Sequence, residues 1–163
     1  MKKMLVLVSC MALLGCDYMV PLVEKPEIDI DRAALGLWRR TKDGGESEQL
    51  LVLPLGKKEY LISYPAGSKD AMFARGCLWR CEGLTLIQLD WIGTARGKLA
   101  DNKRTFQYAA YVVERGSLRI RMLNVDIIDN KISSSAALAK EIASKVEEPE
   151  LLIDEKVFWK SED

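Results

Sequence analysis

Apolar and polar positions in this chain alternate with period two over most of its length, the mark of half-buried strands. Segments 49–53 and 60–64 are predicted strands, separated by Pro54-Leu55-Gly56-Lys57-Lys58, and Pro65-Ala66-Gly67-Ser68 ends the second. Segments 72–81 and 84–92 flank Glu82-Gly83, so the spacing predicts a hairpin with a two-residue turn. Its register puts Ala74 opposite Trp91 and Gly76 opposite Leu89, small against large, with Leu78 opposite Ile87 on the same face. On the other face Arg75 opposes Asp90, a favourable charge pair. A second hairpin follows, with 105–114 and 117–123 flanking Arg115-Gly116. Leu118, Ile120 and Met122 share one face and Arg119 and Arg121 the other, as in an antiparallel sheet with one wet side. The period then changes. Leu138, Ile142 and Val146 recur every four residues, predicting one amphipathic helix over 134–146 with Ser133 or Ser134 as N-cap and Glu147-Glu148-Pro149 closing it. Segment 151–159 returns to strand character.

The first 35 residues follow a different logic. Met1-Lys2-Lys3 is positively charged, Met4 to Leu14 is apolar but too short to span a bilayer, and Gly15 is small. Together these read as a secretory signal over residues 1–15. Leu13-Leu14-Gly15-Cys16 resembles the lipobox of bacterial lipoproteins. The resemblance implies diacylglyceryl transfer to the Cys16 thiol, cleavage before Cys16, and often N-acylation. Two acyl chains hold a protein stably where one holds it marginally. Cys16 is thus the expected lipidation site, tying the chain to the bacterial cell membrane and facing the periplasm. Asp17 resembles the residue that retains enterobacterial lipoproteins in the inner membrane, against the alternative of the outer membrane. Cys10 leaves with the signal. Residues 16–35, with Pro21 and Pro26 and with Glu24, Glu27, Asp29 and Asp31, are read as the lipidated N-terminus and a hydrated tether. Residues 36–163 are read as a single β-rich domain.

The expected fold is mainly β: an antiparallel β-barrel or strongly curved sheet with one late amphipathic helix and a final strand. Gly36-Leu37-Trp38, just before the first strands, and this order of elements are similar to the lipocalin/calycin barrels. That resemblance implies an interior cavity for a small lipophilic molecule. An eight-stranded barrel is equally able to fill itself with its own side chains. The alternative is therefore a structural or protein-interaction lipoprotein of the cell envelope, with a filled core and no ligand.

Composition narrows the chemistry. The chain has 163 residues, enough for one domain, with 24 basic and 24 acidic side chains. Loss of the signal removes Lys2 and Lys3, so nothing suggests a nucleic-acid partner, which requires a concentrated basic surface. Histidine is absent. Ser-His-Asp and Cys-His mechanisms are thereby excluded, and there is no Gly-x-Ser-x-Gly, phosphate-binding glycine loop or Ser-x-x-Lys. No enzyme activity, cofactor or metal is expected. Asp90, Asp126, Asp129 and Asp154 sit at no diagnostic spacing and are read as strand-end, turn and surface residues. Cys77 and Cys81 share one strand face about 13 Å apart, and a disulfide needs less than about 7 Å. An oxidising compartment favours a bridge, so bridge and free thiols both stay open. Trp38, Trp79, Trp91, Phe106, Tyr108, Tyr111 and Trp159 are read as packing residues or, alternatively, as the lining of a ligand pocket. Tyr108 and Tyr111 fall on opposite faces. Arg39-Arg40 is read as a solvated pair or a contact to lipid headgroups.

Overall fold

The computed structural model describes residues 18–99 and 105–161. Eight strands in sequence order make a closed antiparallel barrel: β1 (Gly36–Thr41), β2 (Ser47–Pro54), β3 (Tyr60–Tyr64), β4 (Met72–Cys81), β5 (Leu84–Thr94), β6 (Phe106–Glu114), β7 (Ser117–Leu123) and β8 (Leu152–Lys160). The helix α1 (Ser135–Ser144) lies between β7 and β8. This is the mainly β architecture that the alternation implied, and the choice between barrel and curved sheet falls to the barrel. No helix among the described residues is long and apolar enough to cross a membrane.

Local chemistry sets the hairpins. Glu82 and Gly83 have φ of +47° and +85°, and Arg115 and Gly116 +49° and +77°. Both turns thus have two successive left-handed residues, whose twist matches that of the flanking strands. The β4–β5 register is the expected one, with Ala74 beside Trp91, Arg75 beside Asp90, Gly76 beside Leu89 and Leu78 beside Ile87. Gly76 has a steric reason: a Cβ there would lie 2.9 Å from Ile62 Cδ1 and 3.1 Å from Ile87 Cδ1. The glycine lets those two isoleucines meet over the strand.

Inward side chains fill the barrel. Trp38, Tyr60, Ile62, Trp91 and Phe158 are buried there, with Tyr111 packed against them. One end is plugged by the chain leading into β1. A single 3-10 turn over Arg32–Ala34 is capped by Asp31. Trp38 Nε1 donates to the Ala34 carbonyl at 2.9 Å, and Lys160 Nζ stands 4.7 Å from the Trp38 ring centroid while donating to Leu35 O. This cation over an indole ties the last strand to the entrance of the first.

A second core lies outside the barrel. Leu86 and Tyr108 point outward from β5 and β6 and are buried under Leu138, Ile142 and Ile128. The helix starts as expected, with Ser134 Oγ accepting from Ala137 N at 3.2 Å. It stops at Ser144, short of the expected 146, so Val146 lies beyond it and is half-buried. The chain has already turned at Lys145, whose Nζ reaches back to the Ile127 carbonyl at 2.7 Å.

Residues 18–35 are irregular, as two prolines require, yet they do not stand off as a tether. Tyr18 is 1% exposed and pairs through its backbone with Phe106. Tyr108 Oη donates to Val20 O at 2.5 Å. Gln88 Oε1 accepts from Leu22 N and Val23 N at 2.7 and 2.9 Å, while its Nε2 donates to Val23 O at 3.0 Å. The segment is a strap across the outer wall. What the prolines and carboxylates did not announce is that buried side chains of β5 and β6 would satisfy its backbone.

Candidate functional site

Cys16, the expected lipidation site, and Cys10 and Asp17 lie outside the described residues. Cys77 and Cys81 are unbridged, Cys77 buried and Cys81 half-buried. Cys77 sits beneath the strap, its Sγ 3.7 Å from Gln88 Nε2. Burial pushes its thiol up to about 11. A thiol with that pKa is neutral at physiological pH and neither attacks nor ligates readily.

The aromatic residues do not converge. Trp38, Trp91 and Tyr111 belong to the lumen, whereas Trp79, Phe106 and Tyr108 face outward beneath the strap and helix. Tyr108 and Tyr111 are on opposite faces, as the register requires. Trp159 points outward from β8 and is 60% exposed. The carboxylates do not meet either. Asp90 lies beside Arg75, and its pKa is raised because burial outweighs the Thr105 hydrogen bond and the Arg75 charge. Asp129 accepts from Lys131 N, Asp126 follows an Asn124 turn, and Asp154 occupies a left-handed kink at φ +56°. Among the described residues no three acidic or thiol groups cluster around a point that would hold a metal.

Arg39 and Arg40 correct the expectation of a solvated pair. Successive strand residues point to opposite faces, so only Arg39 is exposed. Arg40 turns into the barrel, its guanidinium 5.7 Å from the Phe158 centroid and its Nε 2.7 Å from Glu48 Oε2. Glu48 is buried and also accepts from Tyr64 Oη at 2.6 Å and from Lys42 Nζ. Burial alone would raise the Glu48 pKa; hydrogen bonds from Lys42, Tyr64 and Arg40 overcome it and hold the carboxyl at about 2. The Tyr64 hydroxyl is raised by burial and by its bond to Glu48. Lys156 is lowered by burial and by the Arg40 charge. The sequence carried a signal for this cluster: Arg40 follows Trp38, and Glu48 precedes Leu50 and Val52, at inward parity.

Three surface clefts flank these features. One of about 350 Å³ opens beside Glu48, between the β1–β2 loop and Pro65–Ser68. Another of about 390 Å³ lies between the strap and β4–β5, lined by Val23, Glu24, Arg75, Cys77 and Gln88. The third, about 270 Å³, runs along β6–β8 past Val112, Arg119 and Arg121. All three open outward, and none is the barrel lumen.

The remaining surface feature is the wall formed by β8, β1 and β2. Among the described residues, the core beneath strap and helix takes in Leu152 at the start of β8 but no residue of β1 or β2. Arg39 is in register with Trp159 on one side and Gln49 on the other, and Leu37 with Leu51. Leu53 is exposed at its edge. An exposed Trp beside an exposed Arg is the kind of pair that a protein–protein contact uses as anchors.

The chain matches no protein-family model, no curated protein and no solved structure.

Proposed function

We propose that this chain is a bacterial envelope lipoprotein, anchored through lipidated Cys16, whose self-filled barrel binds another envelope protein and catalyses nothing. The observation that carries this reading is the lumen. A small lipophile requires open apolar volume on the order of several hundred Å³, and Trp38, Tyr60, Trp91, Tyr111 and Phe158 occupy that space. The closed barrel agrees with the lipocalin-like architecture, but a shared architecture carries no ligand with it. The bare wall around Trp159 and Arg39 is the surface that partner would meet.

Native mass spectrometry of the delipidated domain tests the first half. A mass equal to that of the chain supports it, and a stoichiometric bound lipophile overturns it. A photo-reactive residue replacing Trp159 tests the second in intact cells. One defined adduct, lost when Arg39→Glu is added and absent from the same probe at Glu82, supports the wall as the interface. Equal adduct patterns at both positions would remove it. Radiolabelled palmitate tests the anchor, since Cys16→Ala abolishes incorporation only if Cys16 is the acceptor.

A further inference from the structure

The strap has a geometric consequence for the anchor. Tyr18 donates its N–H to Phe106 O at 3.0 Å and accepts from Phe106 N at 3.2 Å, and its hydroxyl donates to Ile128 O at 3.1 Å. From there to the 3-10 turn the chain stays on the barrel, held at Val20, Leu22 and Val23. Cys16 is two residues before Tyr18. Two residues reach at most about 7 Å. A free tether over 17–35 would give roughly 25 Å of root-mean-square reach. A lipid on Cys16 therefore sits against one end of the barrel.

The topology identifies that end. Phe106 is the first residue of β6 and pairs with Asp90 near the close of β5. The same end carries the start of the β5–β6 loop and the β3–β4 loop, stitched together by Ala95 N to Ala71 O at 2.7 Å and Arg96 to Asp70 at 2.5 Å. Among the described residues two large apolar side chains are exposed there, Ile92 at 50% and Met19 at 37%, with Lys69, Arg96 and Lys98 also exposed at that end. The Glu82-Gly83 and Arg115-Gly116 turns and Trp159 lie at the opposite end.

Building on the lipid anchor proposed above, we infer that the barrel is clamped to the bilayer in one orientation, with the end bearing Ile92, Met19, Lys69, Arg96 and Lys98 against the phospholipid headgroups. Apolar side chains enter the interface and cations face anionic headgroups. Asp70 neutralises part of Arg96, so that among the described residues Lys69 and Lys98 carry the remaining positive charge of the patch. Trp159 is thereby held at the far end, away from the lipid.

The full chain, processed and lipidated in cells, is reconstituted into phosphatidylethanolamine–phosphatidylglycerol vesicles with p-benzoyl-phenylalanine at Ile92 or at Glu82. The clamp predicts several-fold more photo-adduct with phospholipid from position 92 than from position 82. Equal adducts, or more from 82, overturn it. A flexible Gly/Ser insertion between Asp17 and Tyr18 leaves every barrel contact in place and brings the two positions to the same level; an unchanged excess at position 92 would show that the short connection is not the cause and would overturn the clamp. Palmitate labelling of the same preparations separates the two failures. Unlabelled protein removes the anchor and this inference with it. Labelled protein with equal adducts overturns the inference alone.

Discussion

Leu86 and Arg39 both point outward from barrel strands, yet Leu86 is fully buried and Arg39 is exposed. The walls they stand on are built in opposite ways. On β4–β6 apolar residues are buried on both faces, as Ile87 and Leu86 are, because the lumen takes one face and the strap and helix take the other. On β1 and β2 buried and outward residues alternate, and at Arg39, Leu53 and Trp159 the outer face is exposed among the described residues. There support comes from within, where Arg40, Glu48, Tyr64 and Phe158 brace the inner surface behind Arg39, Trp159 and Gln49. A wall braced from inside leaves its outer face available for a partner.

Substitutions that attack each brace in turn put this contrast to the test. The largest effect is expected from Leu138→Ala, which opens a cavity beneath the helix on the covered wall. The cost should be about 3 kcal/mol in urea unfolding. A loss under about 1 kcal/mol would mean that α1 does not cement that wall.

Next comes the inner brace. The folded pKa of Glu48, about 2, lies below the ordinary value of 4.5. Its contribution is therefore complete above about pH 4.5 and disappears as pH falls from there toward 2. Glu48→Gln should cost on the order of 2 kcal/mol at pH 7, discounted for the partial exposure of Lys42. It should also flatten the acid limb of the stability profile. An unchanged acid limb in the variant would assign the bracing elsewhere.

Gln88→Ala should cost about 1–2 kcal/mol through lost strap hydrogen bonds. Amide exchange should quicken at Leu22 and Val23 while the barrel interior stays protected. Uniform acceleration would show that strap and barrel melt as one unit. The smallest effect is expected at the bare wall, where Trp159→Ala should change stability by less than about 0.5 kcal/mol. A cost above about 2 kcal/mol would make Trp159 part of the core and end the contrast.

Much of the sheet was legible because its determinants are local. Glu82-Gly83 and Arg115-Gly116 dictate tight turns, a tight turn dictates register, and register dictates which side chains meet. Leu138 and Ile142 announced the helix face in the same way. The strap was not legible, because Tyr18 and Gln88 act on backbone groups far away in sequence, and a lone glutamine in a strand carries no local sign of its partner. Arg40 and Glu48 fall between these cases. Their inward parity was readable, but a charge at a core position is explained only once Tyr64 and Lys42 are placed around it. The candidate interface was the least legible. Trp159 looks like any other aromatic residue at the end of a strand until the fold leaves its surroundings uncovered.

Trp38 and Lys160 lie side by side at the β1–β8 junction, although more than 120 residues separate them along the chain. Every other neighbouring pair of strands is also adjacent in sequence, so those pairs can zip as soon as the second member exists. The β1–β8 junction instead joins the first strand to the last, the most non-local and hence slowest kind of contact. Until it forms, β1 and β8 both offer unpaired edges to other chains. Removing 152–160 would not yield a slightly smaller barrel; it would leave a seven-stranded ribbon open along two sides, with the lumen aromatics spilled toward water. Closure is thus a single late event, and the nine residues of β8 decide whether this molecule is a sealed particle or an adhesive sheet.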